Sequence, residues 1–434
     1  MSAASPASPA AITPACRPHW VGQHAARGVP AARRTLEFRN GRWFTGRGFT
    51  APGTRFIVRG VFRTARPTHV DTVLDLAGGY VVPPFAEGHN HHVEPDSMAA
   101  YVARYQRDGV FYVQDLMALP AMRARFASAV NTAASIDLVS PNQGWTGPGG
   151  HPLEVIAQLR AAGLLGDSAA AARVPDTAAV LVVRTAADVA RRWPGFRAGH
   201  PDFVKVFLLH SEAYAARAAD TARTPADRGL NPTLVPGIVR RAHAAGLCVS
   251  AHVNTAVDFR AALDGGVDAI AHLPGIGIRT AGEMPAYRLT EADARRAAHW
   301  HVAVTTTVSW VHDGSLDPAL ARRVVDELMR PNIARLRAAG VPLLVGSDQF
   351  RQTSAAEAQH LVADGLFTPA EALTAWAVVT PRAIFPGRRI GGLTDGDEGS
   401  LLVLAGDPLR DFTNTARIRL RVKQGIVLRI AEDP

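Results

Sequence analysis

Lysine is nearly absent from this chain. Of 47 basic side chains only Lys205 and Lys423 are lysine, and arginine supplies the rest. Arginine keeps its charge when buried, whereas a desolvated lysine can lose its proton and become a nucleophile, so each lysine here invites an explanation. Lys423, in Val422-Lys423-Gln424-Gly425, suggests none. Cysteine is equally scarce: Cys16 and Cys248 offer no disulfide framework, which makes a reducing compartment the default. No apolar run approaches the roughly 20 residues that span a bilayer, so no membrane is expected as a partner. The stretch from Met1 to Pro18 is rich in Ala, Ser and Pro and lacks an apolar signal core. A cytoplasmic location is therefore the default, with a periplasmic or secreted one left open if the start is incompletely assigned. Acids are missing at this end too. Residues 1–60 hold nine arginines against one acid, Glu37, so +8 of the net +9 lies there. No aromatic stacking pattern or recognition motif accompanies this charge, so a solvated basic tail over residues 1–34 is expected rather than a nucleic-acid partner.

The chain has 434 residues, 47% hydrophobic and 20% charged, the composition of an ordinary globular protein with room for one large domain and a smaller one. From Arg34 to Val82 it reads as short β pieces and turns, among them Thr35–Arg39, Arg55–Arg59 and Thr72–Leu76. Leu401–Leu404, Ile418–Val422 and Ile426–Leu428 answer them at the other end. Residues 35–82 and 391–434 are thus expected to form one small β-sandwich domain built from both termini.

Between them, residues 83–390 alternate. Apolar strand candidates recur at Gly109–Leu116, Ile136–Ser140, Phe203–Leu209, Leu247–His252, Ala269–His272, Val302–Val308 and Val341–Gly346, after one that ends near His89. Helical stretches lie between, such as Leu153–Leu164 and Pro236–Ala245, and helix starts at Thr290 and Thr368. Eight strands alternating with helices predict an α/β fold of the (β/α)₈ TIM-barrel type.

Candidate ligands fall near the ends of these strands: His89 and His91, then Lys205, His252, His272 and Asp348. The i, i+2 spacing puts His89 and His91 on one face of an extended strand, with His92 turned away. The intervals of 114, 47, 20 and 76 residues from His91 onward suit strands 1, 4, 5, 6 and 8 of a barrel whose unit is roughly 30 residues. Any one of these residues alone could be structural: Lys205 in a salt bridge, Asp348 as a helix cap. Their joint occurrence at barrel intervals points to a metal.

These motifs resemble the amidohydrolase superfamily. Pro83-Pro84-Phe85-Ala86-Glu87-Gly88-His89-Asn90-His91 is similar to the family's first-strand motif, with Pro84 where glycine is usual. Thr380-Pro381-Arg382-Ala383 and the run from Ile390 to Leu404 resemble its return to the small β-domain, with Asp397-Glu398-Gly399-Ser400 in place of the common return motif. The strand-4 lysine resembles that of the binuclear branch with prolidase-like and dihydroorotase-like members. The resemblance implies two divalent ions, with zinc favoured by the histidine-rich set, and a CO₂-derived carbamate on Lys205 bridging them. It places His89, His91 and Asp348 on one ion and His252 and His272 on the other, with Asp348 as the catalytic proton acceptor for a metal-bridged hydroxide.

Specificity belongs to loops. The stretch Trp145–His151, His210-Ser211-Glu212 and Trp310-Val311-His312 follow strands, which makes His151, His210, Trp310 and His312 candidate substrate contacts. His151 is preferred, because neighbouring glycines let its loop approach closely. The leading function is metal-dependent hydrolysis of an amide or other C–N bond in a small peptide-like or N-acyl substrate. The alternatives are a lactonase, esterase or organophosphate hydrolase on the same centre, and, from another class, a non-catalytic metal-bound assembly protein. The sequence leaves a homo-oligomer open.

Overall fold

The computed structural model describes residues 34–91, 98–117, 129–161, 180–220, 222, 227–350 and 352–429. The basic tail before residue 34, Cys16 and His92 therefore lie outside the described residues. Among the described residues, no helix is long and apolar enough to cross a membrane.

Five strands come first: β1 (Thr35–Trp43), β2 (Gly53–Val58), β3 (Val61–Arg63), β4 (Thr72–Asp75) and β5 (Tyr80–Val82). The next ten are β6 (Phe85–Asn90), β7 (Val110–Asp115), β8 (Asp137–Val139), β9 (Gly144–Thr146), β10 (Val180–Val182), β11 (Val204–Leu208), β12 (Val249–Val253), β13 (Ala269–Ile270), β14 (Ala303–Thr305) and β15 (Leu343–Leu344). The last three are β16 (Leu401–Leu404), β17 (Ile418–Lys423) and β18 (Ile426–Val427). Each of the eight strands expected between residues 83 and 390 is present. The stretch from Trp145 departs from its reading as loop, because Gly144–Thr146 pairs in parallel with both β10 and β11, and Trp145 is fully buried. Only Gly147 onward is loop.

Both ends of the chain share one mixed sheet. Its eight strands run β18-β17-β16-β5-β1-β2-β3, with β4 on β1, and the two ends meet where β16 pairs antiparallel with β5. The middle strands form parallel sheets of seven (β10-β9-β11-β12-β13-β14-β15) and three (β6-β7-β8). Backbone bonds cross from one to the other: Gly88 N–H donates to Val345 O at 2.8 Å and Asp348 N–H to His89 O at 2.7 Å. At the far side Asp202 N–H donates to Ser140 O at 3.0 Å. β11 and β12 are buried at every position, as expected of parallel strands covered on both faces.

Helices follow the strands where their caps predict. Thr290 and Thr368 each accept from the N–H three residues on, and Asp293 and Glu371 reach back to complete capping boxes. Lys423 corrects its reading as a lysine without a task. Its buried ammonium donates to Thr132 O, Ser135 O and Asp137 Oδ1 at 2.6–2.7 Å, fastening β17 to the start of β8.

Candidate metal centre

His89 lies at the end of β6 and Asp348 just beyond β15, and the bond from Asp348 N–H to His89 O sets the two against each other. Asp348 has a left-handed backbone, φ 51°, which only a few residue types accept. Gly346 permits the approach, since a Cβ there would come within 2.5 Å of His89 N. The Nε2 atoms of His89 and His91 lie 3.2 Å apart, and each is 3.1 Å from Asp348 Oδ1. The ligand atoms of these three residues fall within 4.8 Å of one another.

His252 is the penultimate residue of the buried strand β12, and His272 follows β13. His252 Nδ1 faces His272 Nε2 at 2.8 Å, and the His272 ring stacks 5.7 Å from that of His89. Burial first, and then neighbouring groups of like charge, hold these rings neutral at pH 7. The His89 pKa falls to about 4 and that of His272 to about 3, with Asp348 only partly opposing, and His252 is pushed well down. A neutral imidazole has one proton to give. His89 spends it on Ala271 O, 2.6 Å from Nδ1; His252 Nε2 meets Asn254 Oδ1 at 2.9 Å, and His272 Nδ1 meets Leu273 O at 3.2 Å. With tautomers assigned from these acceptors, lone pairs face one another at His252 and His272, and lone pairs face a carboxylate oxygen at His89 and Asp348. Such opposed acceptors fit a cation between them.

Lys205 points the same way. Its side chain, 1% exposed on the central strand β11, has an Nζ with no hydrogen-bond partner, 5.4 Å from the Phe207 ring. Burial lowers its pKa to about 7, against the pull of Asp348. A charged amine without a partner would cost several kcal/mol in this interior. The neutral amine is the form that can take up CO₂.

The remaining candidates sit as follows. The His151 ring lies 4.5 Å from that of His252 and hydrogen-bonds through Nδ1 to Glu154. His210, with φ 50°, pairs with Glu212 at 3.2 Å beyond β11. Trp310 is buried, near Met329 and Gly275. His312 pairs with Asp364 at 2.8 Å and stacks on His360 with centroids 4.0 Å apart, contacts separate from the histidine cluster.

Sequence reading overlooked several buried groups that hold this arrangement. Glu87 accepts from Ser347 N–H (2.8 Å), Ser347 Oγ–H (2.9 Å) and His89 N–H (3.2 Å). The same alternation that pairs His89 with His91 puts Glu87 on their face, a signal the sequence did contain. Asp258 and Glu357 gather loop donors beyond β12 and β14, and helix-start spacing alone gives no hint of that.

No protein-family model matches the sequence, and no curated protein matches it. Solved structures do. A prolidase complexed with N-methylphosphonate-L-proline is 18% identical with a TM-score of 0.67, over 91% of this chain and 99% of that one. A. niger ochratoxinase is 16% identical at 0.68, over 91% and 95%. Phenylurea hydrolase B is 16% identical at 0.64, over 92% and 97%. At such identities the likeness is one of fold: this chain is folded like these solved hydrolases over nine-tenths of its length.

Proposed function

We propose that this chain is a metal-dependent amidohydrolase that cleaves an amide or other C–N bond in a small peptide-like or N-acyl substrate. The observation that carries the reading is the buried, partnerless amine of Lys205 among neutral histidines whose lone pairs face one another. As a carbamate, Lys205 would offer two oxygens. His89, His91 and Asp348 would hold one divalent ion and His252 and His272 a second, with zinc suited to the histidine-rich set. When bound, such ions acidify water and polarise a carbonyl. Asp348 Oδ1 would accept the proton released at attack and return it to the departing amine, and Glu154 would orient His151 toward the substrate oxygen. Neighbours named as a prolidase and a phenylurea hydrolase support C–N bonds as the target. The backbone bonds that join the sheets of seven and three support closure as a (β/α)₈ barrel over residues 83–390, with residues 35–82 and 391–434 as a small β-sandwich domain.

Lys205→Arg keeps the charge but forbids a carbamate. The expected result is fewer than two metal ions per chain and hydrolysis of N-acyl amino acids and dipeptides reduced by about 100-fold or more, beyond what loss of an outer partner causes. Full metal content in this variant, or full turnover of the wild type after chelation, would overturn the proposal.

A further inference from the structure

The loop that carries His151 and the segment just past β11 enclose a cavity of about 440 Å³, within the range of small-molecule sites. Its walls include Gly149, Arg184, Leu209, Tyr214, Arg217 and Arg228, and among the described residues no carboxylate lines it. Leu209 lies four residues after Lys205 on the same run of chain. Arg228 is bound to the His151 loop, because His151 N–H donates to Arg228 O at 2.9 Å. Gly149 makes room for its guanidinium: a Cβ there would stand 2.9 Å from Arg228 Nη1. Arg217 meets one acid, Asp227, at 3.7 Å. Among the described residues, no ion pair engages Arg184.

Three guanidinium groups and a phenol around one cavity, walled by the loop that carries His151 and by the chain just after β11, match a planar anion that accepts paired N–H bonds. We propose that this cavity is an anion subsite for a carboxylate of the substrate. The substrate class is then an N-acyl amino acid or a short peptide with a free C-terminal carboxylate, rather than a neutral amide. The inference rests on the hydrolase reading above and sharpens it.

The test compares kcat/KM for N-benzoylglycine and N-benzoylglycinamide in metal-loaded wild type, Arg184→Gln and Arg228→Gln, with Arg228→Lys as the variant that keeps the charge and the fold. The acid is expected to be preferred by about 10-fold or more, the effect of a single charge-assisted hydrogen bond. That ratio should fall toward one in both glutamine variants and recover in part in Arg228→Lys. Equal turnover of acid and amide, or a preference that survives both glutamine changes, would overturn the subsite while leaving the hydrolase reading intact. If neither compound is cleaved, calorimetric titration of both against the same proteins decides separately. Tighter binding of the acid that is lost in Arg184→Gln upholds the subsite, and indistinguishable binding removes it.

Discussion

Glu87 is a carboxyl group sealed beneath the histidines, and its chemistry follows from that position. Burial raises its pKa to about 8, and the donors from Ser347 and His89 only partly offset this. The folded protein therefore holds Glu87 protonated at neutral pH, while the unfolded chain ionises it near 4.5. The associated stability is fully present below pH 4.5 and is lost as pH rises toward 8, by an amount on the order of a few kcal/mol. Glu87→Gln removes this titration and keeps a polar group against Ser347. Calorimetry of metal-free protein should show the wild-type melting temperature dropping between about pH 5 and pH 8 by more than that of the variant; parallel curves would disprove the assignment. The two lysines make a related contrast. Both are buried to within 1% of full burial, yet Lys423 has three acceptors and Lys205 has none. The sequence flagged the pair as rare and singled out Lys205 by its interval from the histidines, but left Lys423 without a task, because that task lies in what surrounds its amine.

Among the elements, strands and the short turns past them carry the proposed site, and single carboxylates hold those turns. Asp258, three residues beyond the Thr255 cap of the helix Ala256–Gly265, accepts from the N–H groups of His210, Ser211, Asn254 and Thr255 and from the hydroxyls of Ser211 and Thr255. It thereby joins the turn after β11 to the turn after β12, where Asn254 touches His252. Glu357 does likewise beyond β14, accepting from Thr306, Val308 and Ser309 around Thr307, whose φ of 45° is unfavourable for a β-branched residue. Asp258→Ala leaves four buried or half-buried N–H groups without their acceptor. Urea unfolding should show a loss of about 3 kcal/mol or more, together with reduced metal content as His252 loses its fixed neighbour; an unchanged midpoint would refute the role. Strand periodicity and capping residues were legible in the sequence, and so was the placing of the six proposed ligands on or just beyond strands. Side chains that bridge two turns were not, because periodicity reports which face a residue takes within its own element and nothing about the next one. The strand Gly144–Thr146 was hidden for the same reason, its glycine and three-residue length resembling the loop that follows.

Across the whole molecule, the terminal sheet is bolted to the parallel strands by charge as well as by apolar packing. Lys423 and Arg388 both reach Asp137 at the start of β8, and Arg388 also pairs with Glu398. Lys423→Met leaves Asp137 with one cation and strips Thr132 and Ser135 of a donor. The expected cost is about 3 kcal/mol, within the range for breaking a buried pair, with metal content unchanged in the folded fraction; simultaneous loss of metal at full stability would contradict the division of labour between the two lysines. That the two β-rich ends come together was an expectation of the sequence, but the strands that join them, β16 and β5, depend on the register of distant strands, which local patterning does not encode. His89 and Asp348 stand 259 positions apart along the chain and yet face the same few ångströms of space. During synthesis His89 leaves the ribosome long before Asp348 exists, so a nascent chain cannot close this pocket, and any ion held in the proposed way would have to wait for a nearly finished polypeptide.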